Sequence, residues 1–238
     1  MASYHLTVKN GKRGKAANHA LYIAREGKYR KSEKPSDLMA TEYGNLPSWA
    51  DDDPFAFWKM ADKNERVNGA AYREFEVALP GELSVEQNLG LVRSFITKHI
   101  GPKPYQIAIH APLAALGEVP QIHGHIMFSD RRPDDIQRTP EQHFKRYNPK
   151  HPEKGGCKKD SGGKDKVVMK TEIIGIRESF AALQNSTLEK YGHAVRVDHR
   201  SNRDRGIERE PERHLGQATI KLMAPLEKEM YLAARKNH

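Results

Sequence analysis

The stretch Gln121-Ile-His-Gly-His-Ile-Met-Phe128 predicts a β-strand whose two faces carry different chemistry. Side chains two residues apart in a strand point to the same face. His123 and His125 would therefore project side by side, with Met127 beyond them. The opposite face would carry the apolar side chains that enter a core, namely Ile122, Ile126 and Phe128. Two imidazoles on a rigid strand begin a metal site, and the other ligands must come from elsewhere in the chain.

The composition favours a globular protein with an anionic partner. The chain has 238 residues, enough for one large domain or two small ones, and a net charge of +9. That excess of base is typical of nucleic-acid binding, although a merely soluble basic protein would also show it. The single cysteine, Cys157, excludes an internal disulfide framework and a cysteine-based zinc finger. We find no signal peptide and no apolar run of the roughly 20 residues that a membrane helix needs, so we expect a cytoplasmic protein without membrane insertion.

The hydrophobic periodicity predicts an α+β fold, with a central antiparallel sheet of about five strands flanked by helices. Strands are predicted at 2–9, 71–79, 105–110, 121–129 and, more briefly, 194–198. Helices are predicted at about 15–26, 54–67, 84–100, 168–191 and 217–235. Residues 32–53 are polar and rich in turn formers, which indicates a long surface loop. Residues 149–167 are basic and rich in glycine, which is typical of a mobile loop.

The same strand period gathers further candidate ligands on the polar face of the sheet. Glu74 and Glu76 alternate with apolar residues on one predicted strand, and His110 ends another. All three would share a face with His123 and His125, unless a bulge shifts one strand by a residue. Three neutral imidazoles with a neighbouring carboxylate suit Mn²⁺, Zn²⁺ or another divalent first-row ion.

A divalent ion beside a basic surface fits phosphoryl transfer, which then needs a nucleophile. The chain has nine tyrosines, and spacing alone does not select among them. Tyr22 lies in the first basic cluster, with Lys12, Arg13 and Arg25, where positive charge would favour its phenolate. Tyr29, one heptad further along, is the rival position.

Short segments in a fixed order, spread over nearly the whole chain, form a recognisable combination. They are Ser3-Tyr-His-Leu-Thr-Val-Lys9, Tyr22-Ile-Ala-Arg-Glu-Gly-Lys-Tyr29, Glu74-Phe-Glu76 with the following Ala-Leu-Pro80, Ile109-His110, His123-Gly-His125-Ile-Met127, His143-Phe-Lys-Arg-Tyr-Asn148, Glu153-Lys-Gly-Gly156, Asp198-His-Arg-Ser201 and His214-Leu-Gly216. In this combination the chain resembles the MobA/MobL (MobQ-type) plasmid mobilization relaxases, which are similar to the wider class of HUH nucleases.

The resemblance implies a palm-like HUH sheet and a defined reaction. Relaxases of this kind cut one DNA strand at the nic site of a transfer origin, oriT, through a tyrosine that stays joined to the 5′ end, and they later rejoin the strand. The family's nucleophile falls on Tyr22, and its metal-binding histidines fall on His110, His123 and His125. Glu74 and Glu76 would orient a histidine, bind the ion or accept the tyrosine proton, and the sequence does not divide those roles between them.

The resemblance also implies the cofactor and the partners. The ion would be Mn²⁺ or Mg²⁺, with Zn²⁺ as a further option. The DNA would be oriT, as a single strand at nic with an adjacent duplex or hairpin. Relaxosome accessory proteins, a coupling protein and a type IV secretion system would complete the machinery, and the protein would travel to the recipient cell bound to DNA.

The basic residues outside the predicted metal site are candidates for DNA contacts. Lys12, Arg13 and Arg25 form one group, and Lys145 and Arg146 offer phosphate contacts beside the stacking ring of Tyr147. The loop at 149–167 would either close over the bound strand or remain solvated charge.

We expect a catalytic domain over residues 1–216 and a C-terminal helix over 217–238 that begins a tail or linker. One departure from the family pattern is Gly124, which replaces a bulky hydrophobe between the paired histidines. Two alternative functions are a rolling-circle replication initiator, which would share the chemistry but act on a replication origin, and a non-catalytic module that binds single-stranded DNA.

Overall fold

A five-stranded antiparallel sheet forms the centre of the fold. The computed structural model describes residues 3–30, 37–114, 116, 119–208, 215 and 217–236. The strands are β1 (Leu6–Lys12), β2 (Leu38–Gly44), β3 (Ala70–Ala78), β4 (Tyr105–His110) and β5 (His123–Phe128), in the spatial order β1-β3-β5-β4-β2. Every neighbouring pair is antiparallel. The predicted α+β class, with about five antiparallel strands, is therefore confirmed.

Several helices begin where the sequence offers a capping side chain. They are α1 (Ala16–Ala24), α2 (Pro54–Asn64), α3 (Val85–His99), α4 (Pro140–His143), α5 (Lys166–Lys190), α6 (Gln217–Leu222) and α7 (Pro225–Lys236). Asp53 accepts a hydrogen bond from the backbone N–H of Phe55 at the start of α2, where proline holds the first helical position. Ser84 and Gln87 form a reciprocal capping box at the start of α3. The predicted helix at 217–235 is two helices, which separate immediately before Pro225.

Helices cover both faces of the sheet, so the protein has two apolar cores. On one face, apolar side chains of β3, β4 and β5 pack against α3 and α5, which contribute Phe95 and Phe180. On the other face, α1 and α2 pack over Ala108 and Met127. The sequence had predicted that this second face lies away from the core. The small side chains of α1 let that helix lie close to the sheet, and His110 is consequently buried.

The fifth strand is not the one predicted. Residues 194–198 have no strand structure, and the backbone N–H of Val197 instead donates to the side chain of Asn185 on α5. The fifth strand is β2, which lies inside the segment predicted as a loop over 32–53. This strand pairs only with β4, at the edge of the sheet, and one of its faces is exposed while the other is only partly buried. It therefore lacks the apolar alternation that indicates a half-buried strand. Residues 31–36 lie outside the described residues.

The segment predicted as a basic mobile loop over 149–167 is mostly exposed but contains a buried centre at residues 155–157, and we call residues 131–159 the basic hairpin. Two short strands, β6 (Arg131–Arg132) and β7 (Lys158–Lys159), pair with each other, and Cys157 between them in sequence is buried. The last two residues of the predicted loop already belong to α5. Inside the hairpin, Arg131 donates two hydrogen bonds to Glu65 (3.0 and 3.1 Å) and others to the carbonyls of residues 144, 145 and 157. The mobility of the segment stays a prediction.

Two further features bear on the predictions from sequence. The missing side chain of Gly124 leaves a space that Val77 and Leu79 fill, since a Cβ built there would lie 3.3 and 3.5 Å from their methyl carbons. Residues 209–214 and 216, where the catalytic domain was expected to end, lie outside the described residues. Within the described part of the chain, no helix combines the length and the apolarity needed to cross a membrane.

Candidate active site

The carboxylate of Glu74, on β3, is the most buried acidic group on the polar face of the sheet, with 1% of the side chain exposed. One of its oxygens accepts a hydrogen bond from His125 Nδ1, and the other accepts one from His19 Nε2 at 2.6 Å. Burial alone would raise the pKa of Glu74, but these two hydrogen bonds outweigh it and hold the pKa at about 2. Glu74 is therefore ionised, and it fixes His125 with Nδ1 protonated and Nε2 free to bind a ligand.

Three histidines form a cluster at the end of β4 and the start of β5. His110 lies directly opposite His123 in the β4–β5 pair, and His125 follows two residues later on the same face. The ring centroids are 5.6 Å apart for His110 and His123, 5.4 Å for His110 and His125, and 5.2 Å for His123 and His125. The structure thus brings together the three histidines that the strand period selected, and we call them the imidazole cluster.

The imidazole cluster presents unprotonated nitrogens with few competing partners. His110 is fully buried, and neither of its ring nitrogens has a hydrogen-bond partner among the described residues. Burial lowers the pKa of His110 to about 4, helped by the nearby charge of Arg25, and burial also lowers the pKa of His123. His123 Nδ1 donates a hydrogen bond to the carbonyl of Gln121 at 2.9 Å, so its Nε2 is the nitrogen available to bind a metal ion. Neutral imidazoles with free nitrogens are the donors that a divalent first-row ion prefers, and the donor set fits such an ion.

A second group of possible ligands overlaps the first. His19, Glu74 and His125 each offer an atom within 4.8 Å of the others. Hydrogen bonds from both histidines to the carboxylate already account for this spacing. The unpaired nitrogens of His110 have no such explanation, so the imidazole cluster is the better candidate for the metal centre.

Tyr22 lies on α1, one turn after His19, with 41% of its surface exposed. The two rings are stacked with centroids 6.1 Å apart, and the guanidinium of Arg25 lies 4.9 Å from the centroid of the Tyr22 ring. Tyr29 meets the Tyr22 ring edge-on at 5.3 Å, and its hydroxyl accepts a hydrogen bond from Asn18 at 2.7 Å. Of the two rival tyrosines, Tyr22 is the one that stacks on His19, which hydrogen-bonds Glu74.

Glu76 has a different environment from Glu74, although both project from the same face of β3. Its carboxylate accepts a hydrogen bond from Lys9 of β1 and lies 3.7 Å from His125 Nδ1. Burial would raise the pKa of Glu76, but the Lys9 ammonium and the nearby His125 together lower it below its ordinary value. Glu76 is the more accessible of the two, because 28% of its side chain is exposed.

Two of the arginines predicted to contact DNA make hydrogen bonds within the protein. Arg13 donates to the carbonyls of residues 62 and 63 at the end of α2, at 2.9 and 2.6 Å. Arg25 forms a two-pronged pair with Asp37, with both distances 2.9 Å. Both guanidiniums thus have partners within the protein, through long-range contacts that local sequence does not show, and their contacts with DNA stay a prediction.

The other predicted DNA contacts lie away from the imidazole cluster. Lys12, Lys145 and Arg146 are exposed, and the Tyr147 ring has the Lys158 ammonium 6.0 Å from its centroid. The basic hairpin is attached at the start of β3, where Lys159 donates to the carbonyl of Ala70. The imidazole cluster lies at the other end of that strand, where Ala78 pairs with His123.

Two residues of the site were not selected from the sequence, His19 and Asp37. The spacing of His19, Tyr22 and Arg25 along one side of α1 was a visible signal for His19. Asp37 carried no signal, because it lies in the segment predicted as a surface loop. Its carboxylate is 3.7 Å from His110 Nδ1, and Arg25 holds the pKa of Asp37 well below its usual range.

Comparison with known proteins agrees with this fold. Residues 15–224 match the MobA/MobL family. The chain belongs to the MobA/MobL family. It is 52% identical over 211 residues to the 43 kDa relaxation protein of Salmonella typhimurium, an alignment that covers 88% of this chain and 57% of that protein. It is 41% identical over 227 residues to Mobilization protein A of Escherichia coli, covering 93% of this chain and 30% of that protein.

This member of the MobA/MobL family therefore spans less than two thirds of the length of these relatives. A solved structure described as the molecular basis of vancomycin resistance transfer in Staphylococcus aureus superposes with a TM-score of 0.59 at 22% identity, covering 84% of this chain and all of that one. That likeness supports the fold. The family predicted from the sequence is confirmed.

Proposed function

We propose that this chain is the relaxase part of a plasmid mobilization protein, which nicks one strand of oriT DNA at nic and later rejoins it. The observation that carries the proposal is the placement of Tyr22. This residue lies one helical turn after His19, which hydrogen-bonds Glu74, and Glu74 in turn orients His125. Membership of the MobA/MobL family, and the names of the two relatives, support the same reaction.

In the proposed reaction the phenol oxygen of Tyr22 attacks the scissile phosphate. A bond forms between that oxygen and phosphorus, the bond from phosphorus to the 3′ oxygen breaks, and a 3′-hydroxyl leaves. The 5′ end remains as a phosphotyrosyl ester, which keeps the energy of the broken bond and lets the reaction reverse. When a divalent ion is bound by His110, His123 and His125, it supplies Lewis-acid stabilisation of charge on the phosphate oxygens. Mn²⁺ or Mg²⁺ is our first choice for this ion, and Zn²⁺ is the alternative.

The two glutamates divide the remaining roles in this proposal. Both oxygens of Glu74 already accept hydrogen bonds from histidines, so we assign Glu74 to orienting His125. Glu76 is partly exposed on the same face and is the carboxylate left to accept the phenol proton. Lys12, Lys145, Arg146 and Tyr147 supply phosphate and stacking contacts outside the reacting centre.

The same proposal sets the partners. The substrate is oriT DNA as a single strand at nic with an adjacent duplex or hairpin, met in the cytoplasm. Accessory relaxosome proteins, the coupling protein and the secretion system that carries DNA to the recipient are the expected protein partners.

The test uses an oligonucleotide spanning the cognate nic, incubated with the protein and Mn²⁺ or Mg²⁺. The wild type should give a protein–DNA band that survives denaturation. Tyr22→Phe should abolish this band, whereas Tyr29→Phe, the matched control on the neighbouring ring, should retain it. A band that persists in Tyr22→Phe would show that the nucleophile is misassigned. Binding without any adduct in the wild type would favour a non-catalytic DNA-binding module instead.

A further inference from the structure

Tyr22 is flanked on α1 by two side chains that tie the helix to carboxylates. His19, three residues before it, donates to Glu74 at 2.6 Å, and Arg25, three residues after it, makes two bonds of 2.9 Å to Asp37. Residues three apart lie on neighbouring positions of one helix side. Tyr22 is therefore flanked by two side chains of α1 that hydrogen-bond carboxylates outside that helix.

Each of these carboxylates in turn faces one member of the imidazole cluster. Glu74 accepts a hydrogen bond from His125 Nδ1, and Asp37 Oδ1 lies 3.7 Å from His110 Nδ1. The backbone of Asp37 is also joined to the residue that follows β4, because its carbonyl accepts a hydrogen bond from the N–H of Ala111 at 2.7 Å. The two ties thus run from α1 to Glu74 of β3 and to Asp37, the residue before β2, and these carboxylates face two different candidate ligands.

The backbone around Arg25 shows how closely this end of α1 is specified. Arg25 caps the helix in the left-handed region, with φ 56°, a conformation that glycine usually provides. Its side chain donates to the carbonyl of Tyr22 at 2.7 Å as well as to Asp37. An arginine held in an unfavourable backbone conformation, with its guanidinium bonded in two directions, indicates a fixed position rather than a surface cation.

We propose that His19 and Arg25 are positioning residues, which set Tyr22 at a fixed distance from the imidazole cluster by way of Glu74 and Asp37. The proposal rests on the proposed function in taking Tyr22 as the nucleophile. It assigns Arg25 a role inside the protein instead of the DNA contact expected from the sequence. It also predicts that removing either the His19–Glu74 or the Arg25–Asp37 contact changes both the position of Tyr22 and the affinity of the imidazole cluster for its metal ion.

The first measurement is Mn²⁺ affinity by isothermal titration calorimetry, which needs no DNA. His19→Ala and Arg25→Ala should each weaken Mn²⁺ binding about tenfold, the loss typical of removing support from a metal-bound histidine. His19→Gln, which keeps an N–H donor near the position of Nε2, should recover most of the affinity. The second measurement is single-turnover nicking at saturating oligonucleotide, where the alanine variants should be slowed about tenfold or more while the Kd for DNA stays within about twofold of wild type.

Matched controls come from α3, outside the site. His99 hydrogen-bonds Ser179 of α5 at 2.8 Å, and Arg93 pairs with Glu42 and Glu86. His99→Ala and Arg93→Ala therefore remove comparable polar ties, and both should leave Mn²⁺ affinity unchanged. Unfolding midpoints of all variants separate a loss of metal binding from a loss of folding.

Three results would overturn the proposal. Unchanged Mn²⁺ affinity in both His19→Ala and Arg25→Ala would break the link to the imidazole cluster. A loss of DNA affinity without a loss of Mn²⁺ affinity in Arg25→Ala would make Arg25 a phosphate ligand. Equal Mn²⁺ losses in the α3 controls would show a general effect on stability. If the wild type formed no covalent adduct, the proposed function would fail, and the Mn²⁺ comparison would still judge the two ties.

Discussion

Replacing Glu74 by glutamine keeps the shape of the side chain and removes its charge. His19 and His125 both donate to this carboxylate, and an amide offers only one acceptor oxygen where two are needed. In Glu74→Gln one histidine must therefore give up its hydrogen bond or change its tautomer. We expect the metal-free protein to lose stability and the loaded protein to bind its ion less tightly.

The size of the stability loss follows from the ionisation of the carboxylate. Its pKa is about 2 in the folded protein against an ordinary value of 4.5, which favours the charged over the neutral form by about 3 kcal/mol at neutral pH. Glutamine imitates the neutral form, so Glu74→Gln should lower the free energy of unfolding by about 3 kcal/mol at pH 7. Two hydrogen bonds to a buried charge, worth roughly 1.5–3 kcal/mol each before the burial of the charge is subtracted, lead to the same range.

The pH dependence has a definite sign. A carboxyl whose folded pKa is depressed stabilises the protein above about pH 4.5, and this stabilisation is lost as the pH falls towards 2, because the unfolded state then binds the proton first. The difference between wild type and Glu74→Gln should therefore shrink from about 3 kcal/mol at pH 7 to about 1 kcal/mol at pH 3. Comparing two proteins under the same conditions removes the contribution of titrating groups that do not interact with Glu74.

Urea unfolding followed by circular dichroism measures both quantities. Glu76→Gln is the matched control, because its partner Lys9 is 45% exposed and such a pair contributes less than about 1 kcal/mol. Mn²⁺ affinity should fall about 10- to 100-fold in Glu74→Gln. A loss below about 1 kcal/mol at pH 7, or a difference that does not shrink in acid, would refute the account of Glu74 as a buried charge held by two histidines.

Substitutions at three further places probe the rest of the fold. His143 is buried, and burial lowers its pKa to about 4, so its contribution is lost as the pH falls from 6.5 towards 4; His143→Leu should flatten the pH dependence of urea unfolding in that window by up to about 3 kcal/mol. Arg131→Met should cost about 3–5 kcal/mol in urea unfolding, because it leaves the buried carboxylate of Glu65 without its main partner, and adding Glu65→Gln should recover part of that loss. Gly124→Ala should change the free energy of unfolding by less than about 1 kcal/mol, since Val77 need move only slightly, whereas Gly124→Leu should overpack the core at a cost of about 1–3 kcal/mol. A loss of about 1–3 kcal/mol in Gly124→Ala would show that the core beside Gly124 cannot accept even a methyl group.

The imidazole cluster could be predicted because strand geometry leaves little freedom. The predicted strand at 105–110 matches β4, and a period of two then places His110, His123 and His125 on one face, next to Glu74. The covering of that face by α1 could not be predicted in the same way. It depends on which helix packs on which side of the sheet, and an alanine-rich helix gives no indication of its partner.

The start of α1 shows contacts of Arg13 that local rules do not predict. Lys15 occupies the N-cap position and provides no cap, and the backbone N–H groups at residues 14, 16 and 17 donate instead to the carboxylate of Asp62 on α2. In return, Arg13 donates to the last carbonyls of α2. Each helix therefore caps the other across a separation that no local motif spans. Read from the sequence, Arg13 was one more cation in a basic cluster.

The two ends of β3 carry different parts of the proposed reaction. Ala78 pairs with His123 beside the imidazole cluster, whereas Ala70 is bonded to Lys159 of the basic hairpin. At roughly 3.3 Å per residue, the strand Ala70–Ala78 separates them by about 26 Å. A DNA strand that reached both ends would span several nucleotides, so cations of the basic hairpin would add affinity without touching the scissile phosphate. Under the proposed function, the hairpin therefore governs the salt dependence of binding, while Tyr22 and the imidazole cluster govern how fast the bond breaks.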